Sequence, residues 1–265
     1  MKSLTSGDAE IFYETLGQGP PVVLLHPFPA HHKLWGPAAQ ALVSRYRLIM
    51  PDLRGHGESG VGEGPATMAK HAADLSRILD AEQISRAAFA GVSIGGYALF
   101  EFWRRSRERV AVLMLIDTRA QADTAEGHAA RLKSATDVLE QGTEWFADSM
   151  IPRLLGETTR RTRPDLVDGA RRMMLAMSPQ DVNLVQRGMA ERPDSVPTLK
   201  TIDVPTLVVV GDEDGLAPVA EAESMRQHVA GAQLKVIPRG GHYAIWEQAE
   251  ESGRVVRQFL DASNR

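Results

Sequence analysis

The chain has 265 residues, of which 43% are hydrophobic, and this length is sufficient for one large α/β domain with a buried core. Its formal net charge of −4 argues against nucleic acid as the main partner, because nucleic-acid-binding domains are usually basic. The sequence contains no cysteine, which excludes disulfide bonds, a thiol nucleophile and a cysteine-based zinc site.

The N-terminal residues are predicted to form a hairpin. Residues 4–6 and 11–15 flank Gly7-Asp8, a turn signal, and have the composition of short strands. Residues 1–6 lack the apolar core of a signal peptide, and no later segment has the apolar length that a membrane span requires. We therefore expect a cytoplasmic protein with no membrane partner.

Strands and helices are then predicted to alternate, as a doubly wound, mostly parallel sheet requires. Short apolar runs predict buried strands at residues 22–25, 46–50, 87–91, 110–117, 206–210 and 233–237. Apolar residues at helical spacing predict helices at residues 34–43, 67–79 and 97–105, one that ends near residue 230, and one at about 247–260. The sequence therefore predicts an α/β protein.

Residues 119–200 depart from this alternation, because they contain no convincing strand. Amphipathic helical segments are predicted around residues 122–141, 143–155, 164–177 and 179–190. Aromatic and methionine side chains in these helices either pack inside the segment or line a pocket. We take Trp145, Met150 and Met177 as candidate pocket residues.

The segment AAFAGVSIGGYALF at residues 87–100 changes from strand to helix around Ser93. Gly91 and Gly95 would let the backbone turn tightly and expose the serine hydroxyl at the end of the sheet. The same turn would direct the N–H of Ile94 to a point where an oxyanion could bind. This is the G-x-S-x-G pattern of a nucleophilic serine, and taken alone it is about as often only a helix cap.

In this strand–turn–helix context the chain resembles the α/β-hydrolase family, and the resemblance extends from about residue 22 to residue 260. It implies an α/β-hydrolase fold with a helical cap inserted after the strand that ends near Asp117. Residues 1–118 and 201–265 would form the core domain, and residues 119–200 would form the cap over the strand ends.

The family supplies a second oxyanion donor from the loop after the strand at residues 22–25, which here reads His26-Pro27-Phe28-Pro29. Pro27 stands where the family commonly has glycine and has no N–H, so the resemblance implies the N–H of Phe28 as the donor. We expect His26 to hold this loop by hydrogen bonds. Pro29 is similar to a proline of cofactor-free haloperoxidases and is a candidate pocket residue, with a merely rigid loop as the alternative.

A second loop, PDLRGHGES at residues 51–59, resembles the family's D-x-x-G-x-G-x-S loop. We expect Asp52, Arg54 and Ser59 to bond the backbone of this loop. The same structural role is expected for His56.

His242 is the expected general base for Ser93. A serine hydroxyl is a poor nucleophile at neutral pH and needs a base and a third group that orients the base. His242 follows the last predicted strand on a loop with two glycines, and its position resembles the family's G-G-H motif. An exposed loop histidine is the alternative.

The resemblance implies Asp214 as the acid, because the family's G-x-x-D-x-x-x-P pattern matches residues 211–218. Asp117, at the end of an earlier strand, is the alternative acid. Asp212 and Glu213 are expected to be turn or surface residues.

The implied reaction is acyl transfer from an ester or lactone to water through an acyl-enzyme on Ser93. Within the family the chain resembles bacterial serine carboxylesterases and 3-oxoadipate enol-lactonase-like hydrolases, which implies a small-molecule substrate and no metal or organic cofactor. We expect no metal at His31-His32, because adjacent residues rarely direct both rings at one ion and no third ligand is evident in the sequence. The sequence carries no signal for the oligomeric state.

Several alternatives use the same fold. An enol-lactonase of aromatic catabolism and a perhydrolase side activity at Pro29 keep the hydrolytic site. A lyase or C–C hydrolase would use the same triad on another bond, but lyases of this fold typically need a pocket lysine, and the predicted cap has only Lys133 and Lys200. A slow-turnover ligand receptor is the non-enzymatic alternative. A serine at position 93 argues against haloalkane dehalogenases and epoxide hydrolases, which carry aspartate there.

Overall fold

A computed structural model describes residues 1–263, which contain one eight-stranded sheet. The strands are β1 (Lys2–Ser6), β2 (Ala9–Leu16), β3 (Pro21–Leu25), β4 (Arg47–Pro51), β5 (Ala87–Val92), β6 (Val110–Ile116), β7 (Thr206–Gly211) and β8 (Gln233–Ile237). Their order in the sheet is β1-β2-β4-β3-β5-β6-β7-β8. The strands from β4 to β8 in this order are parallel, and β2 is antiparallel to both of its neighbours. The predicted hairpin and mostly parallel sheet are confirmed.

The central strands are apolar because both faces of the sheet are covered. Every residue of β5 and β7 is buried, and β6 is buried except for one half-buried residue. Such strands consist of uninterrupted apolar or small residues rather than alternating ones. The sequence predicted these strands well for that reason.

Eleven α-helices are present in the described part of the chain. They are α1 (Gly36–Ala39), α2 (Met68–Ala81), α3 (Ile94–Ser106), α4 (Ala125–Leu154), α5 (Glu157–Thr162), α6 (Pro164–Leu175), α7 (Pro179–Ala190), α8 (Val196–Leu199), α9 (Val219–His228), α10 (Ala244–Glu247) and α11 (Ala249–Ser263). Thr67 caps α2 as predicted, because its side chain accepts a hydrogen bond from the N–H of Lys70.

The predicted helix at residues 34–43 is wrong. The structure has a short 3₁₀ helix at His32–Trp35, then α1, and then turns up to β4. The segment packs against the turn between β2 and β3, where a Cβ at Gly17 would meet the carbonyl oxygen of Val43 at 2.5 Å. This packing, rather than the local helical pattern, determines the path of the backbone.

The predicted helical insertion between β6 and β7 is confirmed. It contains α4 to α8, and α4 is interrupted at Gly142, which has a φ of 83°. This break separates the two segments that the sequence predicted on either side of residue 142. The short helix α5 was not predicted. In the part of the chain that the structure describes, no helix has the length and apolar character needed to cross a bilayer.

Candidate active site

Ser93 lies at the sharp turn between β5 and α3. Its backbone has a φ of 54° and a ψ of −114°, an unfavourable conformation for a residue with a side chain. The turn is held on both sides: the N–H of Ser93 donates to the carbonyl of Ile116 (3.0 Å), and the hydroxyl of Thr118 donates to the carbonyl of Ser93 (2.8 Å). The neighbouring strand β6 therefore fixes the position of Ser93.

Two glycines make this turn sterically possible. A Cβ at Gly91 would lie 2.5 Å from the carbonyl carbon of Gly95, and a Cβ at Gly95 would lie 2.8 Å from the Cβ of Leu25. Neither position has room for a side chain, so α3 can follow β5 this closely only with glycine at both. The spacing of the motif thus has a packing reason in addition to a chemical one.

His242 is hydrogen-bonded to Asp214. The Nδ1–H of His242 donates to Oδ2 of Asp214 at 2.8 Å, and both side chains are buried. The other oxygen of Asp214 accepts from the N–H groups of Leu216 (2.8 Å) and Ala217 (3.0 Å). Burial alone would raise the pKa of Asp214, but the charge and hydrogen bond of His242 and these two N–H groups lower it overall. Asp214 therefore stays ionised beside the imidazole.

Asp117, the alternative acid, has a different partner. It lies directly after β6, where its Oδ1 accepts from the N–H of Gly211 at 2.8 Å. Its other oxygen is buried with no hydrogen-bond partner among residues 1–263. Burial and the nearby charge of Asp214 raise the pKa of Asp117 well above its usual range. Asp117 therefore bonds the backbone of β7 and not His242, and its environment favours the protonated carboxyl.

One cavity of about 360 Å³ brings together several of the predicted site residues. Ser93, His242, Phe28 and Met150 all line it. It lies between the ends of the sheet strands and the helical insertion, which is the usual place for a ligand in an open α/β sheet.

Three of the predicted pocket residues lie elsewhere. Among the residues that the structure describes, the lining of this cavity does not include Trp145, Met177 or Pro29. Trp145 is 40% exposed on the surface, whereas Met177 is buried in the apolar core. Pro29 is buried in a turn closed by a hydrogen bond from the N–H of Ala30 to the carbonyl of Pro27. The prediction was therefore wrong for these three residues, because the packing of the segments around the cavity, and not their apolar character, decides which side chains line it.

His26 holds the loop that carries Phe28, as expected. Its Nδ1–H donates to the carbonyl of Pro27 (2.9 Å), and its Nε2 accepts from the N–H of Leu53 (2.8 Å). These two bonds use both ring nitrogens, and burial keeps the pKa of His26 well below its usual range. A neutral histidine therefore ties the Pro27–Phe28 turn to the loop at residues 51–59.

Asp52 and Ser59 hold that second loop as predicted, but Arg54 does not: its guanidinium pairs with Asp74 and Asp8 and donates to the carbonyls of Ser6 and Val61, all outside residues 51–59. The carboxylate of Asp52 accepts from the N–H groups of His32 (2.8 Å) and Glu58 (3.0 Å), and the Ser59 hydroxyl donates to the carbonyl of Asp52 (2.7 Å). His56 is buried, and burial lowers its pKa to about 4. The structure gives this loop a supporting role.

The ligand atoms of His31, His32 and Asp52 lie within 4.8 Å of one another. The structure thus brings a third ligand atom to the histidine pair that was not evident in the sequence. The Nδ1 of His32 is already bonded to Asp52 at 2.7 Å, and the same carboxylate holds the backbone of its loop. The Nδ1 of His31 accepts from the N–H of Lys33 at 3.4 Å, so each of the three side chains has a structural contact.

The sequence did not indicate a role for Glu247, whose side chain is hydrogen-bonded to the backbone on both sides of His242. Its Oε1 accepts from the N–H groups of Gly241 (2.9 Å) and Tyr243 (3.2 Å), the residues before and after the histidine. Its Oε2 accepts from the N–H of Gly156 (2.8 Å), in the helical insertion. One buried carboxylate thus fixes the histidine loop and joins it to the insertion.

The sequence analysis also missed the arginines on the cavity wall. Arg119, Arg131 and Arg153 line the cavity together with Asp123. These residues lie in the loop after β6 and in α4, and no motif connects them. The one local signal is the spacing of four between Arg119 and Asp123, which is too common in surface helices to indicate a site.

The chain is similar to known proteins in both sequence and structure. A family model described as the alpha/beta hydrolase fold matches residues 20–249. The chain is 27% identical over 250 residues to 3-oxoadipate enol-lactonase 1 of Acinetobacter baylyi, which covers 91% of this chain and 88% of that protein.

Two solved structures are similar over almost their full length. An esterase from Thermogutta terrifontis, solved with malate bound, is 37% identical, with a TM-score of 0.96 and full coverage of both chains. The enol-lactonase from Burkholderia xenovorans is 25% identical, with a TM-score of 0.91, and covers 98% of this chain and 100% of its own.

Proposed function

Because the chain belongs to the α/β-hydrolase family, as its motifs predicted, we propose that it is a serine hydrolase that cleaves carboxylic esters or lactones through an acyl-enzyme on Ser93. The observation that carries this proposal is the hydrogen bond between His242 and Asp214 at 2.8 Å, with His242 and Ser93 on the wall of one cavity. The relatives that are named esterases and enol-lactonases support the same class of reaction.

In the proposed reaction, Ser93 Oγ attacks the carbonyl carbon while Nε2 of His242 accepts its proton. Asp214 keeps the remaining ring proton on Nδ1 and stabilises the imidazolium. The N–H groups of Phe28 and Ile94 bind the oxyanion; Ile94 is the first residue of α3, where N–H groups have no partner in the helix. The imidazolium then protonates the leaving oxygen, and water, activated by the same histidine, releases the acid.

In this proposal residues 119–200 act as a cap, and residues 1–118 and 201–265 form the catalytic core. The cap would supply the side of the cavity that contacts the substrate, including Met150. A lactone is the second candidate substrate, because two of the relatives are named enol-lactonases and lactone hydrolysis is the same acyl transfer within a ring. The proposed cycle requires no cofactor, and the cytoplasmic location stays a prediction.

Labelling with a fluorophosphonate probe, followed by mass spectrometry, tests the nucleophile. The expected result is one adduct on Ser93, no labelling of Ser93→Ala, and normal labelling of Ser106→Ala as the control. Steady-state hydrolysis of short-chain p-nitrophenyl esters and of lactones tests turnover. Labelling of another residue contradicts the assignment of Ser93, whereas a single burst without turnover favours a ligand receptor.

A further inference from the structure

The charged side chains on the cavity wall are not balanced. Asp123 accepts from Arg119 at 2.9 Å and from Arg131 and Arg192 at 2.8 Å each. Three guanidinium groups therefore share one carboxylate, so this cluster has an excess of positive charge. Arg119, Arg131 and Asp123 face the cavity directly.

The cluster is permanently charged. The side chains of Asp123 and Arg192 are almost completely buried, with 2% and 3% exposure. Burial would raise the pKa of Asp123, but its arginine partners lower it far below the usual value. Because arginine does not deprotonate in proteins, the positive excess persists at every physiological pH.

Arg153 adds a second positive group, and it is unpaired. It lies in the last turn of α4, on the cavity wall with Met150, and Gly215 and Leu216 of the Asp214 loop line the same cavity. Within residues 1–263, no carboxylate lies within ion-pairing distance of Arg153. It is exposed, and no hydrogen bond holds its guanidinium in the described chain.

The acidic residues near Arg153 are already bound to other groups. Glu157 and Glu213 line the adjoining cavity, which also includes Arg153. Glu213 accepts from the N–H and the hydroxyl of Thr158, and Glu157 pairs with Arg161. Neither carboxylate neutralises Arg153, so its charge is available to a ligand in the catalytic cavity.

We propose that the substrate is an ester or lactone that carries a free carboxylate, and that Arg153 binds this carboxylate. The inference rests on the proposed hydrolase function and names its substrate class. A guanidinium matches a carboxylate with two parallel N–H···O bonds, and a single unpaired arginine matches a single negative charge. The excess charge of the Asp123 cluster on the same cavity attracts the same anion.

The test uses two esters that differ only in charge. Mono-p-nitrophenyl glutarate has a free carboxylate, and its methyl ester has the same chain without the charge. The wild-type protein is expected to have a kcat/KM about 10-fold or more higher for the anionic ester. In Arg153→Gln this kcat/KM is expected to fall about 10- to 100-fold, mainly through KM, because one charge-assisted bidentate contact is lost. The value for the methyl ester should change less than about 3-fold.

Arg187→Gln is the matched control, because Arg187 is an exposed arginine of α7 that does not line the catalytic cavity and has no ion pair within residues 1–263. It should leave both esters unaffected. Equal kcat/KM values for the two esters in the wild type, or equal losses for both in Arg153→Gln, overturn the carboxylate proposal while leaving the hydrolase intact. If the hydrolase proposal itself is wrong, the result is different: neither ester is turned over and Ser93 is not labelled.

Discussion

At the scale of single residues, two buried aspartates near His242 differ in their partners. Asp214 accepts the Nδ1–H of His242, whereas Asp117 accepts only a backbone N–H. Both lie at the ends of parallel strands, so the sequence offered both as the acid and only the fold distinguishes their geometry. Each aspartate therefore has a different expected effect on activity.

We expect Asp214→Asn to lower kcat by about 10³-fold or more, because an amide in this position favours the wrong imidazole tautomer. Asp117→Asn should change kcat by less than about 3-fold, since its Oδ1 can still accept from Gly211. Initial rates on a p-nitrophenyl ester measure both effects. Similar losses in the two variants would contradict the assignment of Asp214.

The raised pKa of Asp117 predicts a pH dependence of stability. Burial and the charge of Asp214 favour its protonated form in the folded protein, so the folded state binds more protons than the unfolded chain above pH 4 or so. The contribution of Asp117 to stability is therefore present at low pH and is lost as the pH rises towards its folded pKa. In Asp117→Asn the side chain does not titrate, so this loss of stability with rising pH is absent.

Urea unfolding between about pH 4 and pH 8 measures the difference. The free energy of unfolding of the wild type, relative to that of Asp117→Asn, should decrease as the pH rises. A constant difference between the two proteins over this range would show that Asp117 is ionised in the fold or titrates as it does in the unfolded chain.

At the scale of secondary-structure elements, the loop between β8 and α10 depends on one side chain. Glu247 accepts from the N–H groups on both sides of His242 and from Gly156. We infer that Glu247 is a positioning residue for the histidine, because it holds the backbone on which the imidazole is placed.

Glu247→Gln places an amide NH₂ group against one of these N–H donors. We expect this substitution to lower the free energy of unfolding by about 2 kcal/mol. A buried N–H group would lose its acceptor, and the hydrogen bonds that remain would no longer be to a carboxylate. The rate at which a fluorophosphonate labels Ser93 should fall together with kcat. Glu250→Gln, at an exposed position of α11, is the control. Loss of stability with an unchanged labelling rate would limit Glu247 to a structural role.

The helix α7 approaches the segment before α2 closely. A Cβ at Gly188 would collide with the carbonyl oxygen of Ala66 and lie 2.9 Å from the N–H nitrogen of Thr67. The N–H of Ala66 also donates to the carbonyl of Leu184 in α7 at 3.1 Å. Backbone packs directly on backbone here, which joins the insertion to the core.

We therefore expect Gly188→Ala to destabilise the protein by about 1 to 3 kcal/mol, the usual effect of overpacking against groups that cannot move. Gly36→Ala is the control, because a Cβ there has open space around it. Thermal unfolding measures both variants. A Gly188→Ala protein as stable as Gly36→Ala would indicate that α7 can shift away from the core without loss.

At the scale of the whole molecule, the net charge and the local charge at the site have opposite signs. The chain has a formal net charge of −4, yet arginines outnumber carboxylates on the wall of the cavity that Ser93 and His242 line. A cavity with low-dielectric walls concentrates the local field, so the positive wall can attract an anionic substrate in spite of the negative total.

This arrangement predicts a difference in salt dependence. Raising the ionic strength from about 0.05 to 0.5 M should lower kcat/KM for mono-p-nitrophenyl glutarate several-fold, because screening weakens the attraction to the cavity. The value for its methyl ester should stay within about 2-fold. The same salt dependence for both esters would indicate an effect on the protein in general rather than on the anionic substrate.

The sequence by itself determined the order of the strands along the chain and the turn around Ser93. Buried parallel strands such as β5 and β7 are continuous apolar runs, and the strand-to-helix turn needs glycine on both sides of the serine. Both features depend on neighbouring residues alone, so the sequence is enough to predict them. The fold class and the family followed from these local patterns.

Only the tertiary structure decided which distant side chains meet. Met150 and Trp145 lie in the same part of α4, yet Met150 lines the cavity and Trp145 is on the surface, because the packing of the helix decides which of its faces is turned inward. The bond between Arg192 and Asp123 and the bond between Gly156 and Glu247 join residues far apart in the chain. No local pattern encodes such contacts, because they arise when separate elements pack around the same cavity.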